Sequence, residues 1–418
     1  MARLAFLTPL FAILAVAAWL PAASSAGGPQ ERLLGQTFVV NRFGDAPEDA
    51  GGCEPLPRDC TLREAVIAAN VSPNVNIIQL GTGTYNLTQT GTDEDNSGSG
   101  DLDILTPVIF RGEGPDETTI DANDIDRVFD VQMSGSQQTA FRGLTIRGGH
   151  LSGGASGAGI AHKRNDTSVN ALVTLKNVIV TDNHVDDCLC AAGGILNRAR
   201  MRIIASEITG NSTTGDGGAI FSDGNLKIRE SSIHNNQATT AGFSNAGGIQ
   251  ANGGPVVIIN STISTNSAAA ASGISVAGGD VTVILSTIAF NTAVDALAVG
   301  GVRNSFGTLR VSKSIISDNQ NANCDGVITA VGNNISDDTT CWADSGTNDV
   351  ADPDLLVLGD YGGPTPNHPP NTGSPAVDAF ASCINGDQRG ISRPQDGDLT
   401  VGALCDKGAV ERQSSATP

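Results

Sequence analysis

Six asparagines, Asn183, Asn211, Asn236, Asn266, Asn291 and Asn319, recur at intervals of 28, 25, 30, 25 and 28 residues, each closing the same apolar pattern. The tenth residue before each is Val173, Met201, Leu226, Val256, Val281 or Leu309, and the eighth is Leu175, Ile203, Ile228, Ile258, Val283 or Val311. The third is always Val or Ile, from Val180 to Ile316. A period of this length in fixed register is the signature of a repeat architecture. Apolar positions two apart give strand periodicity with one buried face. After each Asn a small-residue turn leads to one apolar residue, as in Gly193-Gly194-Ile195 and Gly247-Gly248-Ile249. From that residue to the next strand the distance is nearly constant, whereas from Asn to it the distance varies between 8 and 13 residues. Length variation is confined to one corner.

Short β-rich strands, Gly-rich turns and no helical period predict an all-β parallel β-helix, in which every coil pairs with the next. The Asn side chains then stack as an amide ladder, against the plainer reading that they are turn formers. Leu144-Thr145-Ile146 reads as one more coil, with Gly149 where Asn would fall, and His162 to Asp166 as a polar insertion. Asn76 to Leu80, Val108 to Phe110 and Thr118 to Asp121 read as irregular coils, about ten in all. The coils span 76–335, and 336–411 form a C-terminal cap before a disordered tail at 412–418.

Arg3, an apolar run from Leu4 to Leu20, then Pro21 and small residues predict a signal peptide over 1–26. No other stretch is long and apolar enough to span a bilayer. The expected location is extracellular, periplasmic or loosely cell-surface associated. Eight cysteines in an exported chain point to disulfides. Proximity favours Cys53–Cys60, Cys324–Cys341 and Cys383–Cys405, leaving Cys188 for Cys190. Zinc is disfavoured, since among the five histidines only His184, beside Cys188, sits near a Cys pair. A net charge of −20 argues against nucleic acid and anionic membranes as partners. It fits solubility or calcium affinity equally.

In the segment 27–75, Thr37 to Asn41 reads as a strand, and Thr61-Leu62-Arg63-Glu64 as a capping box opening a helix to Asn70. Leu62, Val66 and Ala69 share one face, which suits a helix laid over the open edge of the first coil.

Asp59-Cys60-Thr61-Leu62-Arg63-Glu64-Ala65-Val66 resembles the bacterial domain named for its Cys-Ser-Leu-Arg-Glu-Ala motif, with Thr61 replacing Ser. Gly362 to Pro366, Gly373 to Asp378, Asp387 to Gly390 and Gly408 to Glu411 resemble the "choice-of-anchor Q" segment of secreted β-helix proteins. The coils are loosely similar to those of chlamydial polymorphic outer-membrane proteins. These resemblances imply a right-handed β-helix on an exported bacterial protein, and no established activity. Such segments often lead into an attachment signal. None follows Glu411 here, which implies release or non-covalent attachment.

The strongest candidate metal cluster is Asp93, Asp95, Ser97, Asp101 and Asp103, oxygen donors alternating around a Gly turn as Ca²⁺ favours. The run resembles an EF-hand loop, except that Ile104 stands where the bidentate Glu belongs; a structural turn is the plainer reading. Ca²⁺ is the one cofactor this suggests. Polysaccharide lyases and polygalacturonases share the right-handed β-helix, and need a base or paired carboxylates. Asp186, Asp187 and Asp216, in corners of neighbouring coils, are the weak catalytic candidates. Aromatic sugar platforms have little support, with Trp342, Tyr85 and Tyr361 as the whole Trp and Tyr set after the leader. The expected function is a binding or structural module meeting a polysaccharide, a surface glycan or a protein. The alternative is a lyase or glycoside hydrolase of an acidic polysaccharide. Convergent Asp, Lys or Arg side chains in a groove would favour the alternative.

Overall fold

A computed structural model describes residues 34–46, 53, 59–72, 74–92, 94–164, 170–187, 192–239, 246–399 and 402–414. The expected leader, Asp93, Cys188 and Cys190 lie outside them, as does the end of the tail.

The residue ten before each Asn stacks on its counterpart one coil away. Met201 pairs with Leu226, Leu226 with Val256, Val256 with Val281, and Val281 with Leu309, all in parallel strands. The residue three before does the same, from Ile208 through Ile233, Ile263 and Ile288 to Ile316. All of these side chains are buried in one continuous core. Burying one Ile or Val contributes roughly 1.5–3 kcal/mol, but a lone coil has no partner face to bury it against. Stacking therefore makes the fold, a parallel β-solenoid of about eight turns with almost no helix.

The coil turns corners in three ways. At the Asn corner the preceding residue takes a left-handed conformation, as at Asp182, Asn235, Thr265, Phe290 and Asp318, with φ between 53° and 58°. Each Asn then receives bonds from the Asn before it. Both the backbone N–H and the amide of Asn236 donate to Asn266 Oδ1, at 3.1 and 3.0 Å, and Asn266 donates likewise to Asn291 at 3.0 Å. The chain of amides runs unbroken from Asn183 to Asn319 and ends on Asn323. A second ladder, of serines, stands five residues before the asparagines. Ser206 N–H donates to Ser231 Oγ, Ser231 to Ser261, Ser261 to Ser286 and Ser286 to Ser314, each at 3.2 Å.

The third corner is the variable one, and its Gly-Gly exit has a steric cause. A Cβ on Gly218 would lie 2.4 Å from the carbonyl oxygen of Gly247 in the next coil.

The N-terminal strand, Leu34–Val40, pairs with Val75–Leu80 and extends the solenoid sheet. The helix Leu62–Asn70 begins with both halves of the Thr61/Glu64 capping box. Leu62, Ala65, Val66 and Ala69 enter the main core. Disulfides join Cys53–Cys60, Cys324–Cys341 and Cys383–Cys405. At the far end Cys341 and Trp342 reach the same core.

The C-terminal segment does more than close that end. It runs back along the side of the coils. Thr365 Oγ1 donates to the Glu230 carbonyl, Ser264 Oγ meets His368 Nε2 at 2.7 Å, and Thr262 Oγ1 donates to Gln388 Oε1 at 2.6 Å. Ala409 N–H donates to Thr287 Oγ1, and Gly408 N–H to the Lys313 carbonyl. The strands it covers, such as Thr262–Ser264 and Thr287–Ala289, are buried on both faces, as parallel sheets usually are. Arg393 and Glu411, both fully buried and 2.8 Å apart, hold the segment together. No helix among the described residues is long and apolar enough to cross a membrane.

Candidate functional site

The acidic loop owes its shape to the helix. Arg63, fully buried, clamps Asp45 through Nε and Nη2 at 2.6 and 3.0 Å. Its remaining N–H groups donate to the carbonyls of Ser97, Gly100 and Asp101 at 2.7–3.1 Å. The guanidinium thus closes the loop from within, in the absence of an EF-hand's twelfth-position Glu.

The other members of the predicted set are then sorted by their partners. Asp101 Oδ2 binds Arg127 Nη1 at 2.7 Å, so this carboxylate belongs to an ion pair. Ser97 N–H donates to Asp103 Oδ2 at 2.7 Å, and its hydroxyl lies between the N–H and carbonyl of Asp103. Asp103 and Asp130 are paired in register on successive strands, Leu102–Ile104 and Phe129–Val131. They and Asp95 each bring one carboxylate oxygen within 4.8 Å of the others. Asp130 was invisible to a local loop pattern because it enters from the next coil. Oδ1 of Asp103 and Oδ1 of Asp130 are buried without a hydrogen-bond partner.

Asp95, Asp101 and Asp130, but not Asp103, border a cleft of about 940 Å³. Asp95, Asp101, Asp126 and Asp130 meet Arg127, Lys163 and Arg198 there. Arg127 also binds Asp130, at 3.2 Å, and the Lys163 ammonium pairs with the same Asp130 oxygen. Lys163 comes from the polar insertion singled out in the sequence, which thus faces the acidic loop across the cleft. Burial pushes the Asp103 carboxyl up to about 7, and the nearby Asp130, Glu94 and Asp95 add to this against the bond from Ser97. Burial pushes the Asp101 carboxyl upward against the pull of Arg127, and Asp103, Asp126 and Asp130 add smaller pushes in the same direction as burial. The cluster carries more carboxylates than cations, and low-dielectric surroundings penalise that surplus.

Of the three weak catalytic candidates, Asp186 meets two histidines rather than another carboxylate, binding His184 and His150 at 2.7 and 3.1 Å. Asp187 is exposed in a left-handed turn, with φ of 55°. Asp216 is half-buried, which raises its carboxyl, and among the described residues no hydrogen bond or ion pair joins it to Asp186 or Asp187.

The chain matches no described protein family and no curated protein. Among solved structures it is similar to a crystal structure of the pectate lyase Pel9A, with TM-score 0.43 and 14% identity, over 91% of this chain and 97% of that one.

Proposed function

We propose that this is an exported β-helix, right-handed and of roughly ten coils with the helix Leu62–Asn70 as its N-terminal cap, that binds a hydroxyl-rich glycan in the cleft. Asp95, Asp126 and Asp130 converge with Arg127, Lys163 and Arg198 around one concavity, as the enzyme alternative would have it, but the observation that carries the binding reading is that Arg127 and Lys163 are both engaged by Asp130. Carboxylates accept hydrogen bonds from sugar hydroxyls, while guanidinium and ammonium groups donate to sugar oxygens. The surplus of carboxylates favours a neutral glycan over a bare polyanion. Arg127 and Lys163 are already paired with carboxylates, which suits binding better than proton abstraction.

One observation favours a second reading, a lyase or hydrolase of an acidic polysaccharide. Lys163 and Asp130 meet beside the Asp95, Asp103 and Asp130 oxygens. In that reading Asp95, Asp103 and Asp130 would hold Ca²⁺, which would supply positive charge toward the substrate's acid groups.

Purified protein offered neutral glycans, and separately pectate, alginate and hyaluronan with and without Ca²⁺, distinguishes the two. Retention without new unsaturated or reducing ends is the expected result. Product formation gives the second reading. A triple variant, Asp124→Ala at a further carboxylate lining the cleft with Lys163→Ala and Arg198→Ala, should abolish retention. Undiminished retention by that variant would place the ligand elsewhere.

A further inference from the structure

We propose that His150, His184 and Asp186 form a site for a divalent transition metal of the zinc class, in the variable corner at the margin of the cleft. The two histidines lie 34 residues apart in sequence and occupy the same register position on successive coils. Their rings are 5.4 Å apart between centroids. Asp186 follows His184 by two residues and stays in the ladder, its N–H donating to the Leu151 carbonyl at 2.8 Å. Two residues along an extended chain return a side chain to the same side. The carboxylate therefore meets both rings, Oδ1 at His184 Nε2 and Oδ2 at His150 Nε2. One donor atom from each of the three lies within 4.8 Å of the others.

The donor set decides the class of metal. Two imidazoles and one carboxylate suit zinc, nickel, cobalt or copper; calcium and magnesium want six or more oxygens. Three protein ligands leave a tetrahedral ion one open position. The side chains are 40–41% exposed, so an ion can enter and exchange its remaining water. A supporting contact is already in place. His184 Nδ1 meets Ser212 Oγ, which stands in register with it on the following coil. Such a bond from the far nitrogen fixes a ligating imidazole's tautomer and orientation. Hydrogen bonds from His184, then His150, hold the Asp186 carboxyl below its ordinary range, so the carboxylate is ready in its ligating form. The same register position on later coils carries Ser212, Gln237, Ser267 and Thr292. Two of the chain's five histidines thus meet where the repeat elsewhere places small or neutral residues.

His150 also lines the cleft, but the metal site does not depend on the glycan reading. The test uses the full chain stripped with a chelator, then titrated with Zn²⁺ alone and with Co²⁺ as a visible-absorption probe. One equivalent of Zn²⁺ should bind and resist a large excess of Ca²⁺. His150→Ala and Asp186→Asn should each weaken binding by about tenfold or more and abolish the Co²⁺ ligand-field bands. Far-UV circular dichroism identifies any variant that fails to fold, and His150→Gln replaces one that does. In folded wild-type protein, ¹⁵N shifts of the two Nε2 atoms on adding Zn²⁺ report the ligands directly. Unchanged Zn²⁺ affinity in the folded variants, or no Zn²⁺-induced shift at either Nε2, would overturn the proposal.

Discussion

The coils around residues 94–164 and those around 200–319 share one backbone plan and treat buried polarity in opposite ways. In the later coils two ladders of buried polar side chains set each member against a copy of itself, Asn on Asn and Ser on Ser. Donor and acceptor are supplied by one residue type, no net charge is buried, and a new coil extends the ladder without a new design. In the earlier coils and the helix over them the buried groups are ionisable, Arg63, Arg127, Asp101, Asp103 and Asp130, each needing particular partners from other segments. A buried ion is costly unless paired and hydrogen-bonded. That cost breaks the repeat, and the cleft lies where it is broken.

Changes at matched depth in the two regions sharpen this contrast. The largest effect should come from Arg63→Ala, which strands Asp45 and three loop carbonyls at once. Removing one partner of a buried ion pair costs about 3–5 kcal/mol, read as a lowered midpoint in urea. A loss below about 1 kcal/mol would mean that water replaces the guanidinium.

Next comes pH. Asp103 holds its proton in the folded chain up to about 7, against 3.8 for the free group. The folded state therefore binds a proton that the unfolded chain releases. Its stabilisation is present in acid and is lost as pH rises through about 7. His162 and His368 act in the other direction. Burial lowers both to about 4 from 6.5, so their contribution is lost as pH falls through that window. Amide exchange in residues 94–104 should accelerate from pH 6 to pH 9, after correction for intrinsic rates, while residues 256–291 stay unchanged. Equal acceleration in both would remove the contrast.

A smaller loss is expected from Asn266→Ala. Asn236 Nδ2 keeps the Ile208 and His234 carbonyls and Asn291 Oδ1 keeps the backbone N–H of residue 266, so the orphaned Asn236 N–H sets the cost at about 1–3 kcal/mol. Ser261→Ala, which leaves one orphaned N–H on Ser231, should cost the least, about 1 kcal/mol. Chemical denaturation of the two variants side by side checks the order. A serine step costlier than the asparagine step would reverse the ranking of the ladders.

The repeat was legible because a solenoid writes a tertiary contact as a sequence period: the residue one coil away is the residue one period away. Pairings of Met201 with Leu226 and of Asn236 with Asn266 could be counted off the chain. The serine ladder could have been counted too, five residues before the asparagines, but Val178 replaces the first Ser and hides the start of the series. The three described disulfides followed from proximity for the same reason of short range.

What the sequence determined by itself is the periodic part, the parallel strands, the core positions, the Asn corner and the capping box of the helix. These rest on contacts at a constant spacing or within one turn. The tertiary structure decided where charge converges. Arg63 joins the calcium-like loop at a spacing that no period predicts, whereas Asp130 beside Asp103 and His150 beside His184 stand one coil apart in coils too irregular for the period to be counted. Ions choose partners by distance and desolvation, neither of which is written in local sequence.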